Sequence, residues 1–175
     1  LSDEVPDTIP GATFSVDGNF VFYPTVDDAW RPDTIWRHRV GSAATSDVQV
    51  FHEPDERYWI SIGLTRSKKY LQIAIGSQIT SEVYVLDADQ PEGEFSVVWP
   101  RVEGVEYAVE HAVIAGRDRL LITHNVDAEN FELVNVPADD STNRNEWTTV
   151  IPHSSETRIE SVSAFADYLT VEYRR

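Results

Sequence analysis

The chain has 175 residues, 30 of them acidic and only 14 Lys or Arg, giving a formal net charge of −16. Binding to nucleic acid or to an anionic membrane surface needs clustered cations, so this balance argues against both as partners. With 41% hydrophobic and 25% charged residues, the composition is that of one folded domain with an ordinary core rather than a disordered segment.

No apolar run is long enough to cross a bilayer, and the first residues lack the basic-then-apolar layout of a signal peptide. The absence of cysteine excludes a disulfide framework and thiolate metal sites. It also removes the main argument for secretion, so the cytoplasm is the expected compartment. There is no methionine, and Tyr173, Arg174 and Arg175 close on a strand-like pattern, so the sequence reads as an internal piece of something longer. The acidity itself has two readings: a solubilising surface, or a field that steers cationic substrates.

In chain order, the alternating apolar segments predict strands over residues 13–16, 20–23, 34–40 and 48–52, then 59–64, 71–75, 82–86 and 95–99. A third set follows at 107–114, 119–124, 131–136 and 147–151, and a final pair at 158–165 and 168–173. Third-strand segments begin at Ile35, Val83 and Phe131, a step of 48 residues each time. Second strands align at Phe20, Tyr70 and Leu120, a step of 50, and Glu56, Glu106 and Glu156 precede successive first strands at the same interval. Pro54, Pro100 and Pro152 follow the fourth strands, where a missing amide hydrogen suits a chain leaving the ladder. Asp17-Gly18-Asn19, Ser67-Lys68-Lys69 and Gly116-Arg117-Asp118 supply hairpin turns between first and second strands.

Four strands repeating about every 50 residues predict an all-β fold, a partial β-propeller of four-stranded antiparallel blades. The alignment puts blades at 11–55, 57–102 and 106–153, with half a blade at 158–175. Closed propellers typically need about 4–8 blades, so the ring cannot close within this chain. The unpaired edges predict association, either as a two-fold homodimer that completes blades in trans or as loose aggregation.

No catalytic or metal residue is indicated. The eight glycines include no G-x-S-x-G, the nucleophile elbow of α/β-hydrolases. The five histidines show no H-x-x-x-H spacing; Glu110-His111 and His124 could meet across a hairpin, but as hydrogen-bonded strand residues rather than metal ligands. Asp87–Glu94 fails as a calcium loop because Pro91 takes a ligand position. Of the tryptophans Trp30, Trp36, Trp59, Trp99 and Trp147, the last four fall within or beside predicted strands, so core packing between blades is favoured over a carbohydrate platform. No cofactor is implied. Polar residues on first strands are candidates for lining the central channel: Ser61, Glu110, His111 and Glu160.

The strings AWRPDTIWRHRVG (29–41), EPDERYWISIGLTRSKKYL (53–71) and TSEVYVLDADQPEGEF (80–95) resemble the N-terminal propeller of oligopeptidase B, in the prolyl oligopeptidase family. So do RVEGVEYAVEH (101–111), HNVDAENFELVNVP (124–137) and FADYLTVEYRR (165–175). The resemblance implies a parent serine endopeptidase with a seven-bladed propeller and an α/β-hydrolase domain that carries the Ser-Asp-His triad and is absent from this chain. It further implies that the propeller, itself non-catalytic, partners that domain and admits short, basic peptides for cleavage after Arg or Lys. The alternative from another class is a free-standing propeller-like scaffold, or a module that binds carbohydrate or protein.

Overall fold

The computed structural model describes residues 3–175, and among them the chain forms fourteen strands. The first sheet is β1 (Thr13–Phe14), β2 (Phe20–Val26), β3 (Pro32–Arg39) and β4 (Val48–His52); the second is β5 (Trp59–Leu64), β6 (Tyr70–Gly76), β7 (Ser81–Asp87) and β8 (Ser96–Trp99). The third comprises β9 (Tyr107–Ile114), β10 (Arg117–His124), β11 (Glu132–Pro137) and β12 (Thr148–Ile151), and β13 (Arg158–Ala164) pairs with β14 (Leu169–Arg174) alone. Each four-stranded sheet is ordered as the chain runs. Consecutive antiparallel strands joined by short connections are the blades of a partial β-propeller.

Strand periodicity explains which residues go inside. In β6, Leu71, Ile73 and Ile75 are fully buried, while Tyr70, Gln72 and Ala74 on the other face are less so. The first compact unit runs to Leu64 and adds Lys68–Ser77 and Tyr84–Ser96; its core gathers Phe22, Ile35, Ile60, Leu71 and Ile73. The second unit comprises Thr65–Ser67, Gln78–Val83 and Val97–Arg175, with a core of Ala112, Leu121, Leu133, Ile159 and Ala164.

The turns show why some boundaries differ from expectation. β1 stops at Phe14 because Ser15 already belongs to the turn: its hydroxyl donates to Asp17 Oδ1, which also accepts from the Asn19 amide at 3.0 Å. The β9–β10 hairpin turns at Ala115 and Gly116, both at positive φ (51° and 73°), so Arg117 and Asp118 are paired strand residues rather than turn residues. Short 3-10 turns at Ala44–Ser46 and Arg144–Glu146, absent from the sequence pattern, lead into β4 and β12.

The tryptophans divide. Trp99 packs edge-on against Trp147 with ring centroids 5.0 Å apart, and the half-buried Trp36 donates from Nε1 to Thr25 Oγ1. Packing does not account for Trp30 and Trp59, which are 76% and 60% exposed.

Candidate functional site

The first strands carry the four candidate lining residues into three different settings. Ser61 is exposed on β5 between the buried Ile60 and Ile62, within the first compact unit. His111 is buried on β9, where Nδ1 lies 2.8 Å from Ser67 Oγ and Nε2 3.0 Å from Asp118 Oδ1. This Ser–His–Asp chain has its ring nitrogens exchanged relative to a hydrolase triad, and Ser67 Oγ is shared with Thr65 Oγ1 at 3.0 Å. Its role is to pin the 65–67 segment to the β9–β10 hairpin. His111 sits opposite Leu120 and His124 opposite Tyr107, so the two histidines do not meet across the hairpin as the sequence suggested.

Glu110, on the other face of β9 from His111, does meet Glu160 of β13 at a common cleft. The cleft has a volume of about 330 Å³ and is lined by Glu106, Tyr107, Glu110, Phe131, Arg158 and Glu160 among others. Ser61 and His111 are not part of its lining.

A β-bulge delivers Glu160. Ile159 pairs with Tyr173 and Ser161 with Glu172, which leaves Glu160 as the extra, unpaired residue. A bulge re-aims the side chain it carries, and here the carboxylate receives Arg158 Nε at 3.4 Å and Arg174 Nε at 3.2 Å. Across the cleft, Glu110 Oε1 accepts from the His111 amide at 2.9 Å, and the Glu106 amide donates to Asn125 Oδ1 at 2.8 Å. Phe131, at φ 63°, lies under the Arg158 guanidinium, 4.5 Å from carbon to ring centroid. The adjoining Asn130 carbonyl accepts from the Ile159 amide at 3.0 Å, tying this loop to β13. The lining carboxylates of Glu106, Glu110 and Glu160 outnumber Arg158 and the Arg174 paired with Glu160, so the cleft stays acidic, and its lining includes no histidine to act as a base. It can attract and orient a cation.

Sequence inspection missed Arg158 and Phe131 as lining residues. The β-bulge has no local signature, and Phe131 reads simply as the start of a strand.

Beneath the outer strands of the third sheet lies a buried aromatic group. His124 packs against Trp147 with centroids 5.3 Å apart and meets Trp99 edge-on at 5.9 Å, while the Arg144 guanidinium lies 5.2 Å from both indoles. Nδ1 of His124 accepts from the Val126 amide; Nε2 is 3.3 Å from Glu132 Oε1 but outside hydrogen-bonding geometry. Burial, and then the Arg144 charge, push the imidazole down to about 4, so it is neutral at neutral pH.

The family model for the N-terminal β-propeller domain of prolyl oligopeptidase matches residues 1–175. Protease 2 of Moraxella lacunata is 34% identical over 176 residues, covering 99% of this chain and 24% of the relative. Dipeptidyl aminopeptidase BI of Pseudoxanthomonas mexicana is 33% identical over 180 residues, with 99% and 24% covered. The solved structure of oligopeptidase B from Leishmania major superposes with a TM-score of 0.89 at 27% identity, covering 100% of this chain and 24% of that one. The chain thus spans about a quarter of the length of these relatives. Repeating four-stranded sheets, the match along the whole sequence and the structural likeness agree: the chain belongs to the prolyl oligopeptidase family, as part of its N-terminal β-propeller domain.

Proposed function

We propose that this chain is part of the gate of a serine oligopeptidase, controlling which substrates reach a Ser-Asp-His centre held by an α/β-hydrolase domain of the parent protein. The observation that carries the reading is the convergence of Glu110 and Glu160, from the first strands of successive sheets, on one acidic cleft. Propeller sheets surround a central channel, and their first strands border it. Whatever passes along that channel meets these carboxylates.

Selection then follows from two physical terms. Hydrogen-bonded ladders and tied hairpins form a rigid wall, so entry depends on size and favours short peptides. An acidic lining concentrates cationic peptides through long-range attraction that salt weakens. Cleavage after Arg or Lys belongs to the same proposal, set mainly from the hydrolase domain, with the cytoplasm as the working compartment. The chain alone turns nothing over. Family membership favours this reading over a free-standing scaffold.

The test is a Glu110→Gln/Glu160→Gln double variant of the intact parent, assayed on short peptides of different charge. For a dibasic peptide at low salt, kcat/KM falls by about threefold to tenfold, with little change for a neutral peptide. Equal kcat/KM for wild type and variant on the dibasic peptide at low salt would refute the electrostatic part of the gate.

A narrower proposal concerns the isolated chain. Among the described residues β14 pairs with β13 alone, and the pairing of two copies through this strand is part of that proposal. Light scattering that gives a monomer mass at high concentration would exclude that pairing.

A further inference from the structure

Trp30 is the least buried large apolar side chain among those described, at 76% exposure, and its backbone sits at φ 63°. That conformation suits glycine or asparagine, and an exposed indole gains no burial in return. The loop is nonetheless held firmly. Asp27 Oδ1 accepts from the amides of Ala29 and Arg31 at 2.9 and 3.0 Å, and the Trp30 amide donates to the Asp27 carbonyl at 3.0 Å. The backbone that carries the exposed ring is therefore held in place.

A second exposed indole, Trp59, belongs to the same compact unit. Arg31 Nη1 donates to the Tyr58 carbonyl at 2.9 Å, so Trp30 and Trp59 are the immediate neighbours of the two residues joined by this bond. Trp59 is 60% exposed and lies opposite Gly76 in the β5–β6 ladder, where an added Cβ would meet nothing within 4 Å. The space beside the ring is open.

The exposed charges without an ion-pair partner that lie near the two tryptophans in sequence are acidic. Asp28 and Glu56 are exposed and, among the described residues, have no ion-pair partner. The nearby cations are already engaged: Arg31 is buried among carbonyls and Asp27, and Arg57 is 2.7 Å from Asp55. Uncompensated carboxylates beside electron-rich ring faces attract a cation, a guanidinium best of all. The chain uses the same contact internally, where Arg144 lies 5.2 Å from the centroids of Trp99 and Trp147.

We infer that Trp30 and Trp59, with Asp28 and Glu56, form a docking surface for a segment of another polypeptide that presents Arg or Lys. Tryptophan and arginine are among the residues that most often dominate binding energy at protein interfaces, and a loop whose backbone is already held gives up little freedom on binding. The surface shares no residue with the lining of the acidic cleft.

The experiment titrates the chain into a fluorescently labelled Gly-Arg-Gly-Arg-Gly peptide and follows anisotropy, with a Glu-for-Arg peptide as control. Trp30→Gly weakens binding by about tenfold or more, while its melting temperature stays equal or rises because glycine adopts the positive φ without strain. Trp59→Ser weakens binding similarly, and Trp30→Phe retains much of it. Asp28→Asn lowers affinity, whereas Asp139→Asn, an equal change in net charge at a distant exposed position in sequence, does not. Wild-type affinity in both Trp30→Gly and Trp59→Ser would overturn the proposal. So would equal effects of the two Asp→Asn changes, which would reduce the binding to general attraction by an acidic protein.

Discussion

Arg31 donates from Nη1 to the carbonyl of Tyr58 at 2.9 Å, and the same nitrogen reaches the carbonyls of Glu53 and Asp55 at 3.1 and 3.2 Å. One buried guanidinium thus satisfies the crossover between the first two sheets, where an irregular backbone has no ladder to pair with. Donation from the Arg31 amide, ahead of its guanidinium, keeps the Asp27 carboxyl below the usual carboxylate range.

Removing this side chain strands three carbonyls. Arg31→Ala is expected to cost about 3 kcal/mol in urea denaturation, and Arg31→Lys most of that, since an ammonium lacks the planar fork. A loss below about 1 kcal/mol for Arg31→Ala would contradict this role.

His124 predicts a specific loss of stability in mild acid. Its folded-state value, about 4, lies below the ordinary 6.5, so as pH falls the unfolded chain takes up the proton first. The stability of a neutral imidazole is complete above about 6.5, falls progressively toward 4, and falls no further below that. The loss approaches about 3 kcal/mol as an upper bound. Urea midpoints measured between pH 7 and 4 check this, and His124→Phe, which keeps an aromatic ring between Trp99 and Trp147, flattens the profile. Loss from the depressed carboxyls of Asp17 and Asp27 comes only at lower pH.

The β9–β10 hairpin can be improved. Ala115 occupies a left-handed conformation that an L side chain adopts at some cost, and Gly116 beside it already meets the requirement. Ala115→Gly is expected to stabilise by about 0.5–1 kcal/mol, and Gly116→Ala to destabilise by about 1 kcal/mol. Opposite signs in thermal melts would mean that the turn is not of this type.

The blade pattern was legible because it rests on local periodicity. Leu71, Ile73 and Ile75 alternate with less buried residues, and the 48-residue step from Ile35 to Val83 to Phe131 repeats a unit that cannot bury its faces alone. What escaped depends on register and on long-range contacts. Glu160 reaches the cleft through a bulge that no residue type announces, and His111 finds Ser67 from 44 positions away. Trp59 was misjudged because a tryptophan in a strand ordinarily packs, whereas here it falls on the exposed face of β5 that alternates with the buried Ile60 and Ile62. No catalytic motif was legible in these residues, and the chain covers 24% of the length of the two bacterial relatives it matches.

The proposed gate is tested most directly by giving the intact parent one cleavable sequence in two settings: as a free short peptide and within a stably folded protein that exposes it. The account predicts rapid hydrolysis of the peptide and a rate at least about a hundredfold lower for the folded host, recovering when the host is unfolded and cut into short pieces. Comparable rates for peptide and folded host would mean that the propeller does not select by size.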